Sequence, residues 1–397
     1  MFNFFTIFTT MNKKFIVMAA FAAMFSISFT SCSNNDDDLA GAGVAQKDSK
    51  NLMTFNGYTN NGPATRGYAA NEETDVRVDG MSVWAFDATK AVTADADFFM
   101  GSTTAGLAHS WVADPGYYKA AADYFWPQYN LNFVALTPQT GGGIGAISIS
   151  QAASDKPVMT VAVDVPLTTE SEGTYGADTQ KDIMIASIED QAPLATGSAS
   201  LTFKHALSQI VFKGIVDNTT TIHKAVVKSI KLVNVASDGT VTYDSDGDAF
   251  STGSFGAKTK TYAANIVRTT VTATDSADPD DITGQDDAET GRNYQMMILP
   301  QTSTECEGVT GAENLSQLGA PTAGTYLLVN ATLFANGNNA NAVLENTTNV
   351  YIPLEETTWA PGYKYTYLLK FGDNLLHPIT FTASVAAWTD GDKNVEF

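Results

Sequence analysis

Short runs in which apolar residues return at every second position recur along most of this chain, and they commit it to β-structure. In Pro157–Val165, Met159, Val161, Val163 and Val165 share one face while Thr160 and Asp164 occupy the other. Successive side chains of a strand point to opposite faces, so this period of two sets one face against a core and leaves the other wet. Asp75–Phe86, Leu131–Leu136, Asp182–Ile188, Leu201–Phe212, Val226–Val235 and Val241–Tyr243 read as further strands. So do Tyr294–Leu299, Gly324–Phe334, Ala342–Leu354 and Gly362–Phe371. Ser237-Asp238-Gly239 predicts a tight hairpin between two of these runs, and Ala360-Pro361-Gly362 suits a type II turn. Helical periodicity is weak except around Tyr117–Tyr124, where a short helix is expected. Many short strands with frequent turn signals point to β-sandwiches.

The N-terminus has a different logic. From Met11, the expected biological start, Lys13 and Lys14 form a positive region ahead of the apolar run Phe15–Phe29. That run is shorter than the ~20 residues a membrane-spanning helix needs, and it reads as a secretory signal peptide over residues 1–31. Phe29-Thr30-Ser31-Cys32 resembles a lipobox, in which the Cys32 thiol is acylated and becomes the first residue of the exported protein. Ser33-Asn34-Asn35-Asp36-Asp37-Asp38 follows, a run that is either an acidic surface-export tag or a solvated linker. With Cys32 so used, Cys306 has no partner, which excludes a disulfide framework and suggests a buried, inert thiol. The formal charge of −21 argues against nucleic acid or an anionic membrane as partner, since both require basic patches. Gly41–Lys50 reads as a tether, and the small, polar stretch Ala192–Ser200 marks the expected boundary between two domains.

Chemistry-bearing motifs are missing. The four histidines, His109, His205, His223 and His377, are scattered and form no zinc spacing with cysteine or glutamate. Gly141-Gly142-Gly143-Ile144-Gly145 lacks the Lys-Ser/Thr of a phosphate loop and reads as a turn. Asp244-Ser245-Asp246-Gly247-Asp248 has its glycine at the wrong position for an EF-hand, so a turn is expected there too. No cofactor, metal or catalytic residue is expected, and the chain does not read as an enzyme.

Two segments carry the functional reading. In Asn51–Gly67, Met53 and Phe55 point to one side of a short strand, and Arg66-Gly67 ends the Asn-Asn-Gly-Pro loop that follows, where Arg66 is either an ordinary surface arginine or a site at which trypsin-like proteases cut well. At the other end, Ile379, Phe381, Ala383, Val385 and Ala387 alternate with Thr380, Thr382, Ser384, Ala386 and Trp388. This is the cleanest alternation in the chain. It is either the last strand of its own domain or a strand offered to another molecule.

Several segments together resemble the fimbrillin (Mfa-like) family, the subunits of type V pili in Bacteroides-type bacteria. They are the lipobox at Cys32, Ala64-Thr65-Arg66-Gly67, Asp182-Ile183-Met184-Ile185-Ala186, Leu201–Ser208 with its Phe-x-His, Met297–Gln301, Trp359–Tyr367 with its Trp-x-Pro-Gly-x-x-Tyr-x-Tyr, and Ile379–Asp390. The resemblance implies an all-β fold of two tandem transthyretin-like (Greek-key) β-sandwich domains after a lipoprotein signal peptide. It divides the chain into a lipidated propeptide with the first strand (32–66), an N-terminal sandwich (67–197), a C-terminal sandwich (198–374) and a donor-strand segment (375–397). It also implies a route: export as an outer-membrane lipoprotein, cleavage between Arg66 and Gly67 by a trypsin-like Arg-specific protease, and polymerisation into a cell-surface pilus. The donor strand would present Ile379, Phe381, Ala383, Val385 and Trp388 to other pilin subunits. A pilus-tip adhesin or an anchor that keeps its lipid and binds a host glycan or protein is the alternative.

Overall fold

A computed structural model describes residues 52–59, 79–114, 116–167, 180–264, 266, 268–283, 286–287, 292–293, 296–306, 321, 323–335, 343–372 and 379–387. Among them the architecture is all-β, with one short 3-10 turn at Asp95–Asp97. The first strands are β1 (Phe55–Thr59), β2 (Met81–Asp87), β3 (Phe98–Met100), β4 (Leu107–Val112), β5 (Tyr117–Ala120) and β6 (Leu131–Thr137). Then come β7 (Ile144–Ser150), β8 (Val158–Asp164), β9 (Met184–Gln191), β10 (Ala199–His205), β11 (Ser208–Val216) and β12 (Ile222–Val235). The hairpin β13 (Asp238–Asp244) and β14 (Ala249–Phe255) is followed by β15 (Lys260–Ala263), β16 (Thr270–Val271), β17 (Asp280–Asp281), β18 (Asp286–Asp287) and β19 (Arg292–Asn293). The last are β20 (Met296–Ile298), β21 (Gln301–Thr302), β22 (Tyr326–Ala335), β23 (Val343–Pro353), β24 (Thr358–Trp359), β25 (Tyr363–Phe371) and β26 (Ile379–Ala387).

The first sheet runs β3-β2-β4-β5-β1-β10-β9-β6, and β6 pairs back onto β2. The path β2-β4-β5-β1-β10-β9-β6 therefore closes into a ring, which removes the open edges that a flat sheet would have. Met53, Phe55, Met81, Val83, Phe133, Leu201 and Phe203 are buried together in one cluster drawn from this ring. The other faces of β2, β6 and β9 place Trp84, Phe86, Val134, Leu136 and Ile185 in a second, larger core. Both faces of β2 and β6 are thus covered, which explains their near-continuous apolar sequences.

Beyond the ring, β17-β11-β25-β26 and β15-β12-β22-β23 form two sheets. Ile210, Phe212, Tyr367 and Leu369 of the first share the larger core with Ala225, Ile230, Leu327 and Val329 of the second. A third sheet, β14-β13-β8-β7, supplies Met159, Val161 and Val163 to that core, with Thr160 and Asp164 on the wetter face as the alternation predicts. All described residues lie within one compact unit, Ala45–Phe397.

The structure departs from the sequence reading at three places. Tyr117–Ala120 is strand β5, not a helix: the edge-to-face contact of Tyr118 with Trp111 of β4, ring centroids 5.0 Å apart, favours cross-strand pairing. Leu201–Phe212 is two strands, broken at Ala206-Leu207 where the chain leaves the ring. Ser237-Asp238-Gly239 makes no hairpin, because β12 and β13 belong to different sheets. There the Ala236 N–H donates to Gln301 Oε1 (2.9 Å) and the Ser237 carbonyl accepts from Val165 N–H (2.8 Å), so distant segments occupy the groups a hairpin would pair. β10 lies in the ring beside β1 and β9, and β13 pairs with β8, so strands from before and after residue 197 share sheets. The glycine-rich loop is a turn, with Gly141, Gly142 and Gly143 all at positive φ.

Candidate functional site

Strand β1 lies mid-ring, between strands that come from elsewhere in the sequence. Phe55 through Thr59 pair in parallel with Ala199 through Phe203 of β10. On the other side, Phe55 opposes Tyr118 of β5, Leu52 bridges Phe125, and the Met53 N–H donates to the Tyr124 carbonyl at 2.8 Å. The Ala199 N–H donates to the Thr54 carbonyl at 2.9 Å, and the Thr54 and Ser198 hydroxyls are 2.7 Å apart. Parallel pairing demands a long crossover, and here everything between β1 and β10 serves as one.

The strand is held through its side chains as well. Met53 and Phe55 are fully enclosed, and the Phe55 ring makes edge contacts with His109 (5.2 Å between centroids) and Phe133 (5.3 Å). Two residues on, the floor rises. A Cβ on Gly57 would lie 3.2 Å from Phe203 Cε2 and 3.4 Å from Met81 Cε. His109 is itself buried, its Nδ1 donating to the Leu107 carbonyl at 2.8 Å while Nε2 has no hydrogen-bond partner. Burial lowers its pKa to about 4, against a smaller upward pull from the Leu107 carbonyl.

At the other end of the chain, β26 is the outer strand of its sheet, paired antiparallel with β25 from Tyr363↔Ala387 to Phe371↔Ile379. Its described side chains, Thr382, Ala383, Ser384 and Val385, are all exposed. The sequence predicts one buried face for this strand, yet Ala383 and Val385 are exposed, Val385 at 39%. Cys32, Arg66, Gly67 and Trp388 lie outside the described residues, as do the side chains of Ile379 and Phe381.

Other singled-out residues resolve into structural roles. His205 Nδ1 meets Asp182 Oδ2 at 2.5 Å inside the fold, where burial raises the Asp182 carboxyl and the imidazole offsets part of that rise. The Tyr365 hydroxyl donates to the Thr358 carbonyl and accepts from the Ala360 N–H, and the Tyr367 hydroxyl accepts from Trp359 Nε1. Asp244–Asp248 forms the β13–β14 turn, with the Asp246 N–H on Asp244 Oδ1 and the Tyr243 hydroxyl on Asp248 Oδ1. Cys306 is buried, and burial raises its thiol pKa. The sequence reading missed His109, Phe203 and Met81 as the floor beneath β1. Phe203 stands within the Phe-x-His segment, but His109 carries no local signal.

The profile of the fimbrillin-like family matches residues 65–388. This chain belongs to the fimbrillin-like family. Membership places it among fimbrial structural proteins rather than enzymes. The fold is similar to that of a fimbrial protein from Bacteroides vulgatus, at 17% identity and a TM-score of 0.53, over 85% of this chain and 100% of that one. A candidate cell adhesion protein from Bacteroides uniformis is also similar, at 12% identity and a TM-score of 0.43, over 86% of this chain and 100% of that one. Among curated proteins, no relative matches the fimbrillin-like chain.

Proposed function

We propose that this chain is the precursor of a pilus stalk subunit, made competent for assembly when its first strand is cut away. Export as a lipoprotein acylated at Cys32 would hold it at the cell surface. Cleavage after Arg66 by an arginine-specific, trypsin-like protease would then release residues 32–66, lipid and β1 together. The observation that carries this reading is the position of β1, a central stave of a closed ring that precedes the cleavage candidate in sequence.

The energetics follow from that position. Loss of β1 opens a slot between β5 and β10 about 9.5 Å wide, two inter-strand spacings. The β10 backbone groups that paired with Phe55–Thr59 lose their partners, at a cost of about 1–3 kcal/mol for each one that stays buried. The holes left by Met53 and Phe55 forfeit roughly 1.5–3 kcal/mol each. A strand from a second copy restores both terms by β-augmentation. The donor is β26: an outer strand whose described side chains bury little leaves its own sheet at small apolar cost. Successive contacts of this kind run head to tail without closing, which makes a fibre.

Mass spectrometry of subunits taken from assembled filaments tests the proposal. A mature N-terminus at Gly67 is the expected result. A diacylated Cys32 persisting within filaments refutes the stalk assignment and makes the chain an anchor. Deleting residues 379–397 should leave a folded monomer that does not polymerise.

A further inference from the structure

The slot that β1 fills is not uniform, and its shape selects a register. Reading along β1, the ring offers a deep hole at Met53, a deep hole lined by His109 and Phe133 at Phe55, and a shallow floor of Phe203 and Met81 at Gly57. Between the two holes, Thr54 is buried and its hydroxyl lies 2.7 Å from that of Ser198. An incoming strand must therefore present large, aromatic and small side chains at alternate positions, with a hydroxyl after the first.

Only one window of the C-terminal strand does so. Ile379-Thr380-Phe381-Thr382-Ala383 repeats the pattern of Met53-Thr54-Phe55-Asn56-Gly57, with Thr and Phe identical and the other three replaced by residues of similar bulk or polarity. Moving two residues on sets Ala383 in the Phe55 hole and the branched Val385 against Phe203. Reversing the strand so that Phe381 keeps its hole drives Ile379 onto the same floor. The alternate face, Thr380 to Trp388, brings no aromatic residue to the central hole unless Trp388 itself enters it. Ala383 needs only that the Phe203 ring yield by a few tenths of an ångström, because the Met81 methyl at 3.4 Å is at ordinary van der Waals distance.

We infer that residues 379–383 of one subunit mimic residues 53–57 of the precursor, entering the slot of the next subunit parallel to its β10. Ile379 takes the place of Met53, Phe381 that of Phe55 and Ala383 that of Gly57, while Thr380 takes over the hydroxyl contact with Ser198. The assignment rests on the donor-strand reading above. It makes Ala383 the specificity-determining residue of the tail, since any larger side chain collides with Phe203.

Cysteine cross-linking of the full-length precursor, processed and assembled, tests the register separately from the mechanism. Asn56 is the Cα partner of Ser200, so Thr382 takes that place in the inferred register. Cα partners on neighbouring strands fall within disulfide range. The pair Thr382→Cys with Ser200→Cys should give a ladder of covalent oligomers on a non-reducing gel. The pair Ser384→Cys with Ser200→Cys should give none. In parallel, Ala383→Phe should abolish filaments and Ala383→Gly should keep them. Filaments that cross-link only through the Ser384 pair, or through neither pair, overturn the register while leaving donor-strand exchange intact. So does wild-type filament growth by Ala383→Phe. Filaments formed after deletion of residues 379–397 overturn both.

Discussion

Replacing His109 by leucine should flatten the acid side of the precursor's stability profile. The imidazole is 1% exposed, its Nε2 has no partner, and its ring lies against Phe55. Burial therefore keeps it neutral, with a pKa of about 4 in the fold. In the unfolded chain the value is about 6.5. As pH falls below about 6.5 the unfolded chain takes up a proton that the folded chain refuses, so stability present above that pH is lost as it falls toward 4. At about 1.4 kcal/mol per pH unit, the gap is worth roughly 3 kcal/mol. Leucine has similar bulk and no titration. Urea unfolding of both proteins at pH 7.5, 6, 5 and 4 isolates the effect, because the carboxylates that titrate over the same range are common to both. The difference in unfolding free energy, wild type minus variant, should fall by about 3 kcal/mol from pH 7.5 to pH 4. Parallel profiles would mean that water reaches the ring and that β1 does not seal it. The same comparison on protein cut after Arg66 should show a smaller change, since Phe55 no longer covers the imidazole.

Other expectations follow from the same packing. Phe55→Ala in the precursor should cost about 3–5 kcal/mol, measured by chemical denaturation, because the fully buried ring has no room to be replaced by collapse on both its aromatic neighbours. Gly143→Ala should destabilise by at least ~1–3 kcal/mol, since φ is 82° and the added Cβ would fall 1.8 Å from the Asp164 carbonyl oxygen. The Cys306 thiol, buried and donating to the Thr325 carbonyl at 3.3 Å, should resist a thiol-reactive dye at pH 8 in the native protein and react on unfolding. A fast native reaction would contradict its placement.

Much of the architecture was legible in residue order, and the misses share a cause. Met159, Val161, Val163 and Val165 announced their buried face through a period that depends on nothing outside the strand. The triple glycine announced a turn, because only glycine accepts three consecutive positive φ angles cheaply. The Ser237-Asp238-Gly239 signal failed because turn-forming residues specify a bend and not which strands flank it. Tyr117–Ala120 failed because its strand form is stabilised by Trp111, a residue on another strand. At the candidate site, the sequence marked Met53, Phe55 and the tail from Ile379, but not what lies beneath them.

The sequence by itself determined that this chain is a β-protein and that its ends carry the unusual segments. Local backbone preference and side-chain alternation suffice for those statements, since each is a property of a few adjacent residues. Tertiary structure alone decided that β6 returns to β2 to close a ring, and that β1 joins β10 in parallel from far along the chain. It alone placed His109, Phe133, Phe203 and Met81 around the first strand. A strand carries no label naming its neighbour; that choice is made by which apolar faces can be covered at once, and it exists only when the whole core is assembled.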